Sequence, residues 1–329
     1  MSIHFENDPS RMQKILVLGG TGFVGQHVCE KLARMQSRIT VPTRRLAQAK
    51  HLQMLPLISL HEGDVNDEAT LARVVAGHDA VVNLIAILHG DEAAFNRAHV
   101  ELPQKLARAC ANAGVKRLVH VSALGAALDA PSMYQRSKAR GEQVLLSAGL
   151  DLTLLRPSVI FGAEDKFLNV FAKLQRVFPF VPLAGAATRF QPVWVEDVAG
   201  AITHCLQHTE TIGKTFDLCG PDVFTLKELV QLAARMSGIN HGRGRPVFGL
   251  STGLGRIQAA LMSLAPGAPL MSRDNLDSMA VDNVTDGKLP GLQELGITAA
   301  SLMAVGPDYL GARGKYKSLQ DLRRVAGRG

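Results

Sequence analysis

The chain has 329 residues, a formal net charge of +7 and a pI of about 9.4, with 47% hydrophobic but only 5% aromatic residues. Such a chain buries a large core, as one large α/β domain with a smaller elaboration or as two intimate lobes. The composition suits Val/Leu/Ala-rich parallel strands and excludes a disordered chain or an aromatic-rich sandwich.

Part of the basic excess lies between Gly311 and Gly329, where Arg313, Lys315, Lys317, Arg323, Arg324 and Arg328 face only Asp321. That stretch has no aromatic stacking surface and the chain has no nucleic-acid motif, so nucleic acid is not an expected partner. It reads either as a solvated tail or as a tether to anionic lipid or an acidic partner. Cys29, Cys110, Cys205 and Cys219 are scattered, which reads as buried thiols in a reducing compartment. His204 and His208 lie one helical turn apart, but spacing supplies no third ligand, so no metal site is expected. The opening residues lack the pattern of a secretion signal, and no apolar run reaches spanning length. The expectation is a soluble protein of the cytoplasm or an organelle matrix.

In chain order, the first informative stretch is KILVLGGTGFVG, residues 14–25. An apolar β-prone run breaks into a glycine turn and then a helical pattern. Gly19, Gly22 and Gly25 stand three apart, as a dinucleotide cradle requires. Gly19 allows the tight turn, Gly22 lets backbone approach a pyrophosphate, and Gly25 lets the helix pack on the strand. The N–H groups around Thr21, Phe23 and Val24 then face the phosphates at a helix N-terminus.

Residues 38–43 (RITVPT) read as the second strand, with Pro42 admissible only near its end. Arg44 and Arg45 follow, and no Asp or Glu occurs from Arg38 to His61. A NAD-preferring unit places an acid near this strand end, whereas arginines fork onto a 2′-phosphate. NADP(H) is therefore favoured over NAD(H); two arginines capping a loop is the plain alternative. A short helix over 46–55 and a third strand over 57–60 lead to Asp64 and Val65, placed to meet adenine. A helix follows over 68–76.

Residues 80–86 read as a fully apolar fourth strand, carrying Asn83, Leu84, Ile85 and Ala86 to the same edge. A long helix is expected over 92–112, with Gly114 as its stop. Residues 115–121 lead into a fifth strand, which ends with Val121 and Ser122. Strands alternating with helices at this spacing predict a Rossmann doubly wound parallel sheet with every cofactor loop at one edge.

Tyr134 and Lys138 then fall on one face of a helix. A nearby ammonium is expected to stabilise a phenolate and lower the tyrosine pKa, which suits proton transfer beside a nicotinamide. Such a pair alone is also common on helix surfaces. A sixth strand over 151–155 runs into Pro157, Ser158, Val159 and Ile160, expected beside the nicotinamide.

Taken together, these motifs resemble the short-chain dehydrogenase/reductase superfamily, extended or atypical branch. The glycine motif, Asp64-Val65, Asn83, Tyr134, Lys138 and RPSVIFG match in order, as does QPVWVEDVA at 191–199. GGTGFVG, VVNLIA, YQRSKARGE and IFGAEDKFLNVFA further resemble the family of the nucleotide-binding accessory subunit of NADH:ubiquinone oxidoreductase (complex I) and its free-standing bacterial relatives. That resemblance implies a tightly held NADPH and a setting in or near quinone chemistry. It also implies roles: Tyr134 as general acid/base, Lys138 on the ribose, Ser122 beside the substrate oxygen. One departure stands out. In active members a hydroxyl bonds the substrate two residues past Ser122, and here that position is Leu124. Ser122 or Ser158 would have to substitute.

The domain reading is a dinucleotide-binding unit over 12–160, with segments near 190–220 returning to it, a smaller substrate or partner lobe mainly over 161–310, and the basic tail 311–329. Within the lobe, 167–180 reads as an apolar helix, 213–220 as a strand, and Thr225 as the cap of a helix to Met236. Residues 248–270 carry one charge, Arg256, and are rich in Leu, Gly and Ala. They read as a core helix, a quinone- or lipid-facing wall, or a membrane-surface segment acting with the basic tail.

Two functions remain open. One is an NADP-linked oxidoreductase on an apolar carbonyl or alcohol. The other is a non-catalytic, cofactor-loaded structural or sensor protein of a quinone-linked assembly, peripheral to an inner membrane.

Overall fold

The computed structural model describes residues 12–251, 253–256 and 272–311. Its centre is β1 (Lys14–Leu18), whose Ile15, Leu16, Val17 and Leu18 are all fully buried. A strand apolar at every position needs cover on both faces, and the sheet provides it. β1 lies between β2 (Arg38–Thr43) and β4 (Ala80–Asn83), with Val17 opposite Val82 and Leu18 opposite Asn83. Beyond β2 lies β3 (Ile58–Glu62); beyond β4 lie β5 (Arg117–Val121), β6 (Asp151–Pro157) and β11 (Thr215–Leu218). The order is β11-β6-β5-β4-β1-β2-β3, and every pairing is parallel. The doubly wound Rossmann sheet expected from the strand–helix alternation is thus present. Strand order reverses between β1 and β4, which opens a crevice at their carboxyl ends.

Two cores cover the sheet. On one face α1 (Phe23–Arg34) and α7 (Val195–Gln207) bury Val28, Leu32, Val198 and Ile202 against Ile15, Val17 and Val82. On the other, α2 (Glu68–Val75) and α4 (Leu102–Ala113) bury Leu71, Leu102 and Leu106 against Leu16 and Leu18. A third core joins α6 (Leu168–Val177), α8 (Leu226–Met236) and the helix Leu302–Leu310 through Leu168, Leu229, Val230 and Leu310. Thr225 and Glu228 form a reciprocal capping box at α8, as the sequence suggests.

Several elements differ from their sequence reading. The fourth strand stops at Asn83 rather than Ala86, because the Asn83 amide oxygen accepts the Ile85 N–H at 3.2 Å and turns the chain out of the ladder. The long helix over 92–112 is three pieces: α3 (Glu92–Asn96), a π turn at Arg97–Glu101, and α4. Pro103 explains the break, since it cannot donate to the His99 carbonyl one turn earlier. The Leu102 N–H reaches back to Arg97 instead. The stretch 46–54 is a 3-10 helix. The apolar helix ends at Val177, leaving Phe178 and Phe180 half exposed. Within 248–270, residues 248–250 complete β13 (Val247–Leu250), parallel to β8 (Val181–Ala184), and residues 253–256 are helical. Residues 257–270 and the tail from 312 lie outside the described residues. No helix among the described residues is long and apolar enough to cross a membrane.

Candidate functional site: a dinucleotide cleft

At the end of β1 the chain turns on Gly19, whose φ is +80°. The Gly22 N–H closes the turn onto the Gly19 carbonyl at 3.0 Å, and α1 starts when Gln26 bonds Gly22. A β-carbon on Gly25 would collide with the Gly19 carbonyl oxygen and lie 2.5 Å from the Gly20 Cα. Only glycine lets α1 start this close to the strand. The helix has no side-chain cap and no acid in its first turn. Its leading N–H groups and positive dipole end are thus left to an anion.

In front of this turn lies a cavity of about 600 Å³. Gly19 and Thr21 form one wall, Arg44, Asp64 and Val65 another, and Ile85 and Ala86 a third. These sequence-predicted residues therefore border one space, assembled at the ends of β1, β2, β3 and β4. Arg45 is the exception. Its backbone N–H and carbonyl pair with the Thr43 hydroxyl, and its side chain is exposed outside the lining. Asn83 also stays out of the lining. Only 1% exposed, it joins the His120 ring at 3.1 Å and shapes the loop behind the wall. Leu84 packs into the first core.

Arg97, Glu101 and Lys105 line the same cavity and went unnoticed in the sequence. A basic-acidic-basic series at four-residue spacing was the available signal. The cavity thus holds three basic side chains (Arg44, Arg97, Lys105) against Asp64 and Glu101.

The second half of the site surrounds α5 (Met133–Leu146). Ser132 caps this helix. The Asp274 carboxylate, from the short helix Arg273–Ser278, accepts the Met133 and Tyr134 N–H groups at 2.6 and 3.1 Å. Two caps fix the start of α5 and so the direction in which Tyr134 and Lys138 leave it. Lys138 is only 2% exposed and donates to the Val121 carbonyl at 3.1 Å. Burial pulls its ammonium from 10.5 down to about 8, with Glu142 opposing. The Tyr134 ring sits edge-on to Phe95 and His99, centroids 6.1 and 5.5 Å away. Desolvation pushes its phenol up to about 12. The shift is thus opposite to the lowering expected from Lys138, and its cause is burial of the phenol.

The π turn serves this half of the site. His99 is buried, accepts the Ile87 N–H at its Nε2 (3.1 Å) and pairs through Nδ1 with the Ser137 hydroxyl (2.8 Å). Ser137 in turn donates to the Tyr134 carbonyl at 2.8 Å. Burial lowers the His99 pKa to about 2, so the ring is neutral. The chain of bonds ties the loop after β4 to α5.

A bound dinucleotide can be tested against two polar groups here. The Ser122 hydroxyl is buried with no hydrogen-bond partner among the described residues. Lys138 has three N–H donors, and among the described residues it donates to the Val121 carbonyl. Both suit the hydroxyls and amide of a nicotinamide riboside, so the residues fit the group. Pro157, Ser158 and Val159 lie alongside, since the Leu124 N–H bonds the Pro157 carbonyl at 2.9 Å. Ile160 opens β7 (Ile160–Phe161), paired with β10 (Val193–Trp194). Ser158 does not replace the missing hydroxyl at Leu124. Its Oγ donates to Asn283 Oδ1 at 2.6 Å, and that oxygen also accepts the Val159 N–H at 3.1 Å. Leu124 itself is 6% exposed.

A glycine turn feeding an uncapped helix, at the crevice where a parallel sheet reverses, defines a Rossmann-type dinucleotide-binding protein. The chain belongs to the NAD dependent epimerase/dehydratase family, whose model matches residues 15–219. It is 33% identical over 315 residues to NADH dehydrogenase (ubiquinone) 1 alpha subcomplex subunit 9, mitochondrial, of Mus musculus, spanning 94% of this chain and 79% of that protein. It is 26% identical over 226 residues to a ceramide reductase of Caulobacter vibrioides, spanning 68% of this chain and 70% of that protein. Among solved structures it is similar to DesIV, a dTDP-glucose 4,6-dehydratase of Streptomyces venezuelae with NAD and TYD bound. There the TM-score is 0.72 at 21% identity, over 95% of this chain and 98% of that one. The extended short-chain reductase reading and its likeness to the complex I accessory subunit both hold.

Proposed function

We propose that this chain holds NADP(H), in preference to NAD(H), and works beside a quinone-linked membrane complex as a short-chain reductase-type protein. The observation that carries the cofactor choice is the cavity wall. Arg44 leaves β2 into it with Arg97 and Lys105 lining the same space, a setting suited to a 2′-phosphate. Thr21 and the Gly19–Gly25 turn would hold the pyrophosphate, Asp64 and Val65 the adenine, and Ser122 and Lys138 the nicotinamide riboside. The nicotinamide supplies or accepts hydride when bound. A Tyr134 phenol held near 12 keeps its proton at neutral pH, which suits a general acid better than a base. The matching substrate is an apolar carbonyl or alcohol, quinone- or lipid-related.

A second reading is a cofactor-loaded structural or sensor protein. Leu124 and the engaged Ser158 hydroxyl favour it, because neither can bond a substrate oxygen.

The test is the nucleotide released from the native protein, identified by mass, followed by turnover with hydrophobic carbonyls. NADP(H) with turnover lost in Tyr134→Phe supports the enzyme. NADPH that stays reduced against every carbonyl and quinone offered supports the second reading. Bound NAD(H) in place of NADP(H) refutes the cofactor assignment.

The assembly would lie on the matrix or cytoplasmic side of an inner membrane, through 248–270 and the basic tail. The named mitochondrial relative supports this. So does the described edge of that segment, where Phe248 is 58% exposed and packs edge-on against the half-exposed Phe180. Flotation with anionic vesicles, comparing the full chain with one ending near Asp308, tests it. No binding by either refutes it.

A further inference from the structure

We propose that His204, His208 and Glu210 form a binding site for one divalent ion of the zinc class, at the end of α7 and away from the dinucleotide cleft. The sequence shows only the histidine pair. The third donor arrives because the chain leaves α7 into a 3-10 turn, Thr209–Thr211, that swings Glu210 back over the rings. One donor atom from each residue lies within 4.8 Å of the other two. The two imidazoles are stacked, with centroids 3.8 Å apart and planes 7° from parallel, so a ring has to turn about its side-chain bonds for both to reach a shared ion.

A tetrahedral zinc with bonds of about 2.0–2.1 Å holds its donors roughly 3.4 Å apart. Side-chain adjustment of about an ångström therefore closes the set. Two nitrogens and one carboxylate oxygen suit zinc-like ions rather than calcium or magnesium, which take oxygen ligands.

Three further features prepare the site. His208 Nδ1 lies 2.9 Å from the His204 carbonyl, which can only accept. The proton is thus on Nδ1, and the Nε2 lone pair is left for an ion, the outer bond metal-binding histidines use. The two rings are part-buried and Glu210 is exposed, so an ion reaches the site from solvent. The carboxyl end of a helix also favours positive charge.

The donors stand on fixed backbone. The Thr211 hydroxyl donates to the His208 carbonyl at 2.7 Å, and the Thr153 hydroxyl donates to the Thr211 carbonyl at 2.9 Å. The Arg117 guanidinium bonds the Cys205 carbonyl and the Thr211 hydroxyl. A bound ion would clip this turn onto α7 and stabilise the native chain. A second group, His27, Glu30 and Glu196, is equally close, but there Glu196 already holds His27 at 2.6 Å and the Lys31 ammonium at 2.9 Å. An incoming cation would have to displace that ammonium.

Calorimetric titration of the full, nucleotide-loaded chain with zinc chloride tests the site, paired with cobalt(II) absorption spectroscopy. The expected result is one strong equivalent and an intense visible cobalt band of the four-coordinate type. Glu210→Gln, at an exposed position that leaves the fold intact, should weaken binding by about tenfold or more. His204→Gln/His208→Gln should abolish it, and His27→Gln should leave it unchanged. Absence of a strong equivalent, a weak octahedral-type cobalt spectrum, or unchanged affinity in Glu210→Gln overturns the proposal.

Discussion

Lys138→Met should make the nucleotide-free protein more stable at neutral pH while removing its grip on the nucleotide. The ammonium is 2% exposed, and burial pulls its pKa from 10.5 to about 8. At 1.36 kcal/mol per unit, the charged form costs the folded state about 3 kcal/mol. Methionine has a similar length and no charge, so that penalty disappears. The Val121 carbonyl loses its donor, which takes back about 1–2 kcal/mol. The net gain is about 1–2 kcal/mol.

The sign with pH follows from linkage. Between about pH 8 and 10.5 the unfolded chain binds more protons at this lysine than the folded one does. Wild-type stability from this group is therefore lowest below about pH 8 and rises until about 10.5. The variant lacks that rise, so its advantage should fade across the same window. Urea unfolding of both proteins at several pH values reads this directly, since other titrations cancel in the difference. A difference that does not change with pH, or a variant less stable than wild type at neutral pH, would refute the buried-charge argument. Nucleotide retained at wild-type affinity would refute the assignment of Lys138 to the ribose.

Other substitutions test the remaining walls. Arg44→Glu should weaken NADPH binding by about tenfold to a hundredfold and NADH binding much less, whereas Arg45→Ala should change neither; equal losses in a fluorescence titration would count against the 2′-phosphate reading. Gly25→Ala drives a methyl into the backbone of Gly19 and Gly20. It should cost about 1–3 kcal/mol in thermal or urea unfolding and impair dinucleotide binding; a native-like melting point and affinity would mean the turn yields. Asn283→Ala removes the side-chain acceptor shared by Ser158 and Val159 and leaves Ser158 only the longer bond to the backbone carbonyl at 3.3 Å. A loss of about 1–3 kcal/mol in urea unfolding is expected, and no change would show the loop is held by other contacts.

The glycine turn was legible because all its determinants are neighbours in the chain. Gly25 is glycine because of Gly19, six residues earlier, and sequence spacing captures that relation. The parallel sheet was legible for a similar reason: a run of successive apolar residues, as at 15–18 in β1 or 80–82 in β4, has to be covered twice. The split between Arg44 and Arg45 was not legible. It depends on the Thr43 hydroxyl catching the Arg45 backbone, which turns one side chain in and leaves the other out. The π turn had a sequence cause in Pro103, but its effect required α5 to sit close by. The His99 carbonyl lies where a Gly141 β-carbon would be.

By itself, then, the sequence determined the class of this protein: a doubly wound sheet, a phosphate-binding turn at its reversal, and a strand end without acids where NAD would want one. These are local properties, written in periodicity and in backbone freedom over a few residues. Tertiary structure decided how the cleft is finished. Asp274 caps the helix of Tyr134 from 140 residues away, and Asn283 engages Ser158 from 125. Lys138 is buried against a β5 carbonyl rather than exposed on a helix surface. Such pairings follow from which surfaces meet when the cores close, and neither propensity nor spacing along the chain records them.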